Sequence, residues 1–154
     1  MNLRVCVDAS LALKLVLDEV YSDRAHGLWQ SWVDADTEIV APAYLVVEAT
    51  SVIRNHVHRG LISKEAGQAA FDALHAQAIT LVPTQGLSVR AWELSEQFRR
   101  PTAYDAYYVA VAEMSGCDLW TADRRLVNAM QHTFGWIKWL GDAALYPGPP
   151  PAAT

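Results

Sequence analysis

Five short apolar segments alternate with helix-like segments along the chain. The apolar segments are LRVCVD (3–8), TEIVAP (37–42), ITLVPT (79–84), DLWTA (118–122) and GWIKWL (135–140), and each is typical of a strand. Helices are predicted between them over 10–19, 22–33, 43–58, 63–77, 86–100, 103–115 and 123–131. Strands that alternate with helices indicate an α/β fold with a mostly parallel sheet and helices on both of its faces.

The length of 154 residues indicates one domain, which we place at residues 1–146. The segment 147–154 is rich in proline and is predicted to be a disordered tail. No apolar run approaches the ~20 residues of a membrane span, so no membrane partner is expected. The opening sequence MNLRVCVDAS has a short apolar stretch that ends on an acid, unlike a signal peptide, and cytoplasmic residence is expected.

The net charge of −5 argues at first against a nucleic-acid partner, because nucleic-acid-binding proteins are usually basic. The argument fails if several of the acids are gathered to hold divalent cations. The metal then supplies the missing positive charge.

Two acids stand at the ends of predicted strands. Asp8 is at the carboxyl end of the first strand, and Asp123 lies just past the carboxyl end of the fourth. In open parallel sheets, ligands bind in the crevice outside the carboxyl ends of the strands. Both positions are therefore expected to line a functional site, although each acid also suits a helix N-cap.

Asp105 opens the helix that begins in the segment TAYD (102–105). A purely structural role is plausible here too. The segment is a Thr-x-x-Asp variant of the capping box, with Thr102 as the cap. Asp105 alone is therefore weak evidence for a functional site.

Glu48 differs because no helix cap accounts for it. Tyr44, Leu45 and Val52 share its helical face, at distances of four, three and four residues. Burial of an unpaired carboxylate costs several kcal/mol, so the side chain needs a cation, a proton or water. The alternative is a solvent-facing glutamate on a half-buried helix.

Taken together, these acids indicate a metal site. Carboxylates that converge in a cleft repel one another, and a bound hard cation relieves the repulsion. Mg²⁺ and Mn²⁺ prefer carboxylate oxygen. Two such ions about 3.5–4 Å apart can activate a water and stabilise the leaving oxygen of a phosphodiester.

Four sequence blocks together resemble a known family. VDAS, VVEATSV, YDAYYVAVAE and LWTADRRL, in this order and spacing, are similar to the PIN-domain ribonucleases, and above all to the VapC-type toxins of type II toxin–antitoxin systems. The resemblance covers residues 3 to about 146. It implies a PIN-like three-layer sandwich in which helices flank a parallel sheet of about five strands.

The resemblance also implies an activity and its residues. The four acids that match the family's metal ligands and catalytic residues are Asp8, Glu48, Asp105 and Asp123, and the supporting hydroxyls are Ser10 and Thr121. Bound Mg²⁺ or Mn²⁺ would activate water to cleave RNA without a covalent enzyme intermediate. A homodimer is expected, together with a cognate antitoxin protein through which DNA would be contacted only indirectly.

Two other acids are not expected in the site. Asp118 begins the fourth strand, roughly 15 Å along the sheet from Asp123. Glu113 lies at the opposite end of its helix from Asp105.

Two other functions compete with the ribonuclease. One is a non-catalytic acidic α/β module for protein interaction, which the six Trp and six Tyr would favour, although packing in the core or in a dimer also accounts for them. The other is a phosphoaspartate receiver using Asp8, but the acidic pair and the later lysine of such a site are missing.

Overall fold

The computed structural model describes residues 3–144. The strands in this range are β1 (Arg4–Val7), β2 (Glu38–Pro42), β3 (Thr80–Val82), β4 (Asp118–Thr121) and β5 (Ile137–Trp139). The α-helices are α1 (Ala9–Val16), α2 (Ser22–Asp34), α3 (Tyr44–His58), α4 (Lys64–Ala76), α5 (Ser88–Gln97), α6 (Tyr104–Ser115) and α7 (Arg124–Met130). Short 3-10 helices cover Thr84–Leu87 and Leu140–Asp142.

The five strands form one sheet in the order β3-β2-β1-β4-β5. All four pairings between neighbours are parallel, as the alternation of strands and helices predicted. The chain winds outward from β1 through β2 to β3, and then crosses to β4 on the other side. The order therefore reverses between β1 and β4, and in sheets of this kind ligands bind at such a reversal.

The helices cover the sheet in two layers, which confirms the predicted three-layer fold. Helix α6 packs against β1, β2 and β4, and α5 packs against α6. Helix α1 packs with α2, α3 and α4. In β1, β2 and β4, every residue after the first is buried, except Trp120, which is partly buried. The reason is that helices cover both faces of the sheet.

Two predicted helices are shorter than expected. Helix α1 ends at Val16 because Leu17 is extended and its carbonyl accepts a hydrogen bond from the Ser22 hydroxyl. The segment predicted as one helix over 86–100 contains a 3-10 turn followed by α5, which ends at Gln97. Arg99 has a left-handed φ of 51°, and the residue before Pro101 is disfavoured in helical geometry, so the helix cannot reach the proline.

The predicted boundary at residue 146 and the predicted tail at 147–154 lie outside the described residues, so both stay predictions. Within residues 3–144, no helix is both long enough and apolar enough to cross a membrane.

Candidate active site

Asp8 lies directly after β1 and is almost completely buried, with 5% of its surface exposed. Its Oδ1 accepts hydrogen bonds from the Leu11 amide (3.0 Å) and from the Ser10 hydroxyl (2.7 Å). Its Oδ2 accepts from the Thr121 hydroxyl (2.5 Å). The capping role is therefore real, since the Leu11 contact caps α1, but the carboxylate is also bound to the end of β4.

The two hydroxyls connect the ends of β1 and β4. The Ser10 oxygen accepts from the Ala122 amide, and the Thr121 oxygen accepts from the Asp123 amide, both at 2.9 Å. A hydroxyl has a single proton to donate, and here the proton of each is donated to Asp8. Ser10 and Thr121 thus hold the carboxylate at the reversal of strand order.

Asp123 is the N-cap of α7, where its Oδ1 accepts from the Arg125 amide at 2.9 Å. It follows β4, the strand that pairs with β1, and so lies at the same edge of the sheet as Asp8. Capping engages one oxygen of the carboxylate and does not exclude a role in a site.

The structure excludes the alternative capping box at Thr102 and Asp105. Helix α6 begins at Tyr104, so its N-cap position is Ala103, and no side chain caps it. Thr102 lies one residue too early to act as the cap. Asp105 is instead in the first turn of α6, and its Oδ2 accepts a hydrogen bond from Arg100 at 3.1 Å, in an ion pair.

Glu48 is half-buried and is paired with a neighbouring side chain. Its Oε2 accepts a hydrogen bond from the Tyr108 hydroxyl at 2.5 Å, which links α3 to α6. The Tyr108 ring is 1% exposed, so its core packing determines where the hydroxyl lies. No site role was predicted for Tyr108, although it stands three residues after Asp105 on the same helical face.

The charges of Asp105 and Asp123 act on Glu48, and the charge of Asp123 acts on Asp105, so the three side chains lie within electrostatic range of one another. Burial raises the pKa of Glu48, the Tyr108 hydrogen bond opposes the rise, and the charges of Asp105 and Asp123 add to it. Burial, followed by the charge of Asp123, raises the pKa of Asp105, against the effect of Arg100.

Asp8 shares this environment. Burial raises its pKa from 3.8 to about 7, the bonds from Thr121, Ser10 and Leu11 oppose the rise, and the charge of Glu48 adds a smaller increase. The four predicted acids therefore form one cluster, which we call the acid cluster: Asp8, Glu48, Asp105 and Asp123.

The acid cluster has the donor chemistry that a hard divalent cation requires. All of its donors are carboxylate oxygens, which repel one another, and Arg100 is the one cation in ion-pair contact with them among residues 3–144. In the conformation described for these residues, no three His, Cys, Asp or Glu side chains already surround a single ion position. The residues fit a Mg²⁺ or Mn²⁺ site in type and charge.

The two excluded acids lie elsewhere. Asp118 pairs with Val5 at the amino end of β4, at the far edge of the sheet from the acid cluster. Glu113 binds Arg90 through both carboxylate oxygens, at 2.6 and 2.9 Å, and so joins α6 to α5. Neither carboxylate is in position to share a cation with the acid cluster.

Most of the large aromatic rings are accounted for by core packing. Trp29 and Trp32 are each 9% exposed, and their centroids lie 5.9 Å apart. Trp120 of β4 contacts Trp32 at 6.5 Å. These rings give no support to a non-catalytic interaction module.

The raised pKa of Asp8 predicts a pH-dependent stability in metal-free protein. Between pH 3.8 and about 7 the folded chain holds a proton that the unfolded chain releases. The contribution of Asp8 to the free energy of unfolding therefore falls as pH rises through this range, by at most about 1.4 kcal/mol per pH unit. Asp8→Asn cannot titrate, so its stability relative to the parent should increase from pH 4 to pH 7.

Urea denaturation of both proteins in EDTA, at a series of pH values, measures this difference. The other raised pKa values, at Glu48 and Asp105, are common to both proteins and largely cancel in the comparison. Stability curves that stay parallel across the range would show that Asp8 is ionised in the folded protein throughout.

A family profile and the named relatives of this chain agree on one family. The PIN domain profile matches residues 5–130. VapC ribonuclease Mb0985 of Mycobacterium bovis is 32% identical over 127 residues, which is 82% of this chain and 91% of the relative. Ribonuclease VapC9 of Mycobacterium tuberculosis matches with the same identity and coverage.

Solved structures share the fold. PAE2754 of Pyrobaculum aerophilum superposes with a TM-score of 0.63 at 22% identity, over 82% of this chain and 79% of that chain. VapC20 of Mycobacterium tuberculosis is described as a sarcin-ricin loop cleaving toxin. It superposes with a TM-score of 0.60 at 18% identity, over 82% of this chain and 95% of that chain. The profile covers most of the chain and the named VapC ribonucleases match 82% of it, so the chain belongs to the PIN domain family.

Proposed function

We propose that the protein is a metal-dependent endoribonuclease that hydrolyses RNA phosphodiesters at the acid cluster. The observation that carries the proposal is the gathering of four carboxylates at the reversal of strand order, where Asp8 and Asp123 follow neighbouring strands. The named relatives at 32% identity are ribonucleases. Cleavage of RNA by the purified chain, before and after neutral substitution of each acid, tests the proposal.

Asp8, Glu48, Asp105 and Asp123 would hold Mg²⁺ or Mn²⁺, directly or through water. When bound, such a cation supplies an activated water and positive charge for the leaving oxygen of the phosphodiester. The residues of the chain itself arrange the oxygen donors. Ser10 and Thr121 hold Asp8 through their hydroxyl protons, and Tyr108 holds one oxygen of Glu48.

Arg100 balances part of the negative charge before any cation arrives. It neutralises Asp105 and leaves the remaining three acids without an ion-pair partner among residues 3–144. That excess of negative charge favours a divalent cation over a monovalent one, since Coulomb attraction grows with the charge of the ion.

Tyr108 is a positioning residue whose removal should weaken the metal site. Tyr108→Phe keeps the buried ring and deletes the hydrogen bond to Glu48. Loss of an outer contact to a metal ligand typically lowers metal affinity or activity by roughly 10- to 100-fold. We expect the variant to need more Mg²⁺ for half-maximal RNA cleavage, measured by metal titration.

Tyr107→Phe is the matched control for this experiment. Tyr107 lies on the same helix, but its hydroxyl contacts Ser88 at 3.0 Å and no member of the acid cluster. If Tyr108→Phe shows the same metal dependence as Tyr107→Phe, the tyrosine hydroxyl has only a packing role.

We further propose that the ribonuclease is the toxin of a toxin–antitoxin pair. The support is the name of the relatives and the family resemblance. A basic antitoxin fits the net charge of −5, and DNA would be contacted through that partner alone. Co-purification with the product of a short adjacent reading frame, and loss of RNA cleavage in the resulting complex, would support the pairing.

A homodimer and cytoplasmic residence complete the proposal, both on family likeness. We expect light scattering at micromolar concentration to give twice the 17.0 kDa mass of one chain. A particle with the mass of one chain contradicts the dimer without affecting the proposed activity.

A further inference from the structure

Two tyrosines stack beside the acid cluster. The centroids of the Tyr44 and Tyr104 rings lie 5.7 Å apart, with 15° between their planes. Tyr44 begins α3 one turn before Glu48, and Tyr104 begins α6 directly before Asp105. We call this pair the tyrosine stack.

The outer ring of the stack is open to solvent. Tyr104 is 55% exposed, whereas Tyr108, one turn later on the same helix, is 1% exposed. The stacking partner and the helix start hold the Tyr104 ring, so its position is set before any ligand binds. An ordered, exposed aromatic ring is the surface on which single-stranded nucleic acids stack their bases.

The tyrosine stack also lies inside the electric field of the acids. After burial, the charge of Glu48 is the largest cause that raises the pKa of Tyr44, and Asp105 contributes as well. A phosphate group at this rim is repelled by the same carboxylates unless cations neutralise them. An uncharged nucleobase is not repelled, so it is the part of an RNA strand that suits the ring.

We propose that the Tyr104 face of the tyrosine stack binds an unpaired nucleobase of the RNA substrate, next to the phosphodiester that is cleaved. The inference rests on the proposed ribonuclease function and adds a substrate-positioning residue to it. A stacked base fixes the strand beside the acid cluster, so that the neighbouring phosphodiester is presented to Asp105 and Glu48. Every base has an aromatic face, so the contact selects for an unpaired nucleotide more than for a particular base.

RNA binding can be measured without cleavage in the Asp8→Asn background. The probe is fluorescein-labelled single-stranded RNA of randomised sequence, about 12 nucleotides long, within the ~4–16-nucleotide range of single-strand sites. Tyr104→Ala and Tyr104→Leu should weaken binding by roughly 5- to 150-fold, the usual effect of removing a stacking ring. Tyr104→Phe should bind as the parent does, because it keeps the ring.

Trp92→Ala is the matched control. Trp92 is 66% exposed on α5, a helix that carries no member of the acid cluster, and its removal should leave RNA affinity unchanged. Equal affinities of the Tyr104→Ala and parent proteins overturn the inference. A loss with Tyr104→Phe equal to that with Tyr104→Ala does so as well, since the hydroxyl and not the ring would then be responsible.

Light scattering distinguishes base stacking from a role of the Tyr104 ring in protein assembly. The particle mass of Tyr104→Ala in solution, and so its oligomeric state, should match that of the parent. A change in mass with unchanged RNA affinity would assign the ring to a protein interface and overturn the inference.

Cleavage by the chain with native Asp8 tests the proposed function separately. If that chain cleaves RNA but Tyr104→Ala binds RNA normally, the stacking inference alone fails. Absence of cleavage across a panel of transfer, ribosomal and messenger RNA, with Mg²⁺ or Mn²⁺ present, refutes the proposed function instead.

Discussion

Asp105→Asn is expected to lower RNA cleavage by orders of magnitude while the protein stays folded. Asp105 caps no helix, and its carboxylate is held by an ion pair with Arg100. The substitution removes a negative charge from the acid cluster and therefore weakens its attraction for a divalent cation. Initial rates of RNA cleavage with saturating Mg²⁺ measure the loss, and circular dichroism confirms the fold.

Replacing each of the other acids by its uncharged amide should also lower RNA cleavage by orders of magnitude, because each change removes a negative charge from the acid cluster. In Asp8→Asn and Asp123→Asn the helix cap is preserved, because Asn is about as good an N-cap as Asp. Glu48→Gln keeps an oxygen that can accept from Tyr108. Relief of repulsion among the acids should leave the melting temperature in EDTA equal to that of the parent or higher.

Asp118→Asn is the control, because it changes charge equally at the opposite edge of the sheet. It should retain full cleavage and, where the protein is toxic to its host, full toxicity. If Asp105→Asn and Asp123→Asn also remain fully active, the ribonuclease proposal fails at this site, and the acids are only structural.

Chelation is expected to have an effect of similar size. Purified protein, freed of any partner, should cleave RNA with Mg²⁺ or Mn²⁺ and stop when EDTA is added. Without a metal, positive charge for the leaving oxygen would have to come from a side chain. Among residues 3–144, Arg100 is the cation in ion-pair contact with the acid cluster, and it is already paired with Asp105. Restoring excess Mg²⁺ should restore the rate, which shows that EDTA did not unfold the protein.

Undiminished cleavage in EDTA would remove the metal mechanism and leave the fold and family unchanged. Failure to cleave one particular RNA does not count against it, because the carboxylates would meet the same phosphodiester in every RNA. A panel of transfer, ribosomal and messenger RNA is therefore the appropriate substrate set.

Local patterns predicted the fold well because its elements are determined by nearby residues. The five strands and seven helices were expected within a few residues of their observed bounds, apart from the early end of α1 and the split of the segment 86–100. Parallel strands follow from the helical crossovers between them. The order β3-β2-β1-β4-β5 required the structure, since no local signal states which strand neighbours which.

The acids show the same division. Local patterns identified the candidates, because Asp8 and Asp123 follow strands and Glu48 lies on an apolar helical face. They left open whether Asp105 was a cap, and only the start of α6 at Tyr104 decided that.

How the acids are held depends on contacts between residues far apart in the chain. Tyr108 reaches Glu48 across 60 positions, and Thr121 reaches Asp8 across 113. Such contacts depend on which strands and helices become neighbours in the packed sheet, whereas periodicity and capping patterns extend only over adjacent turns. Local patterns therefore named the residues that could line a site. The pairing of β1 with β4, and the hydrogen bond that joins α6 to α3, bring those residues near one another.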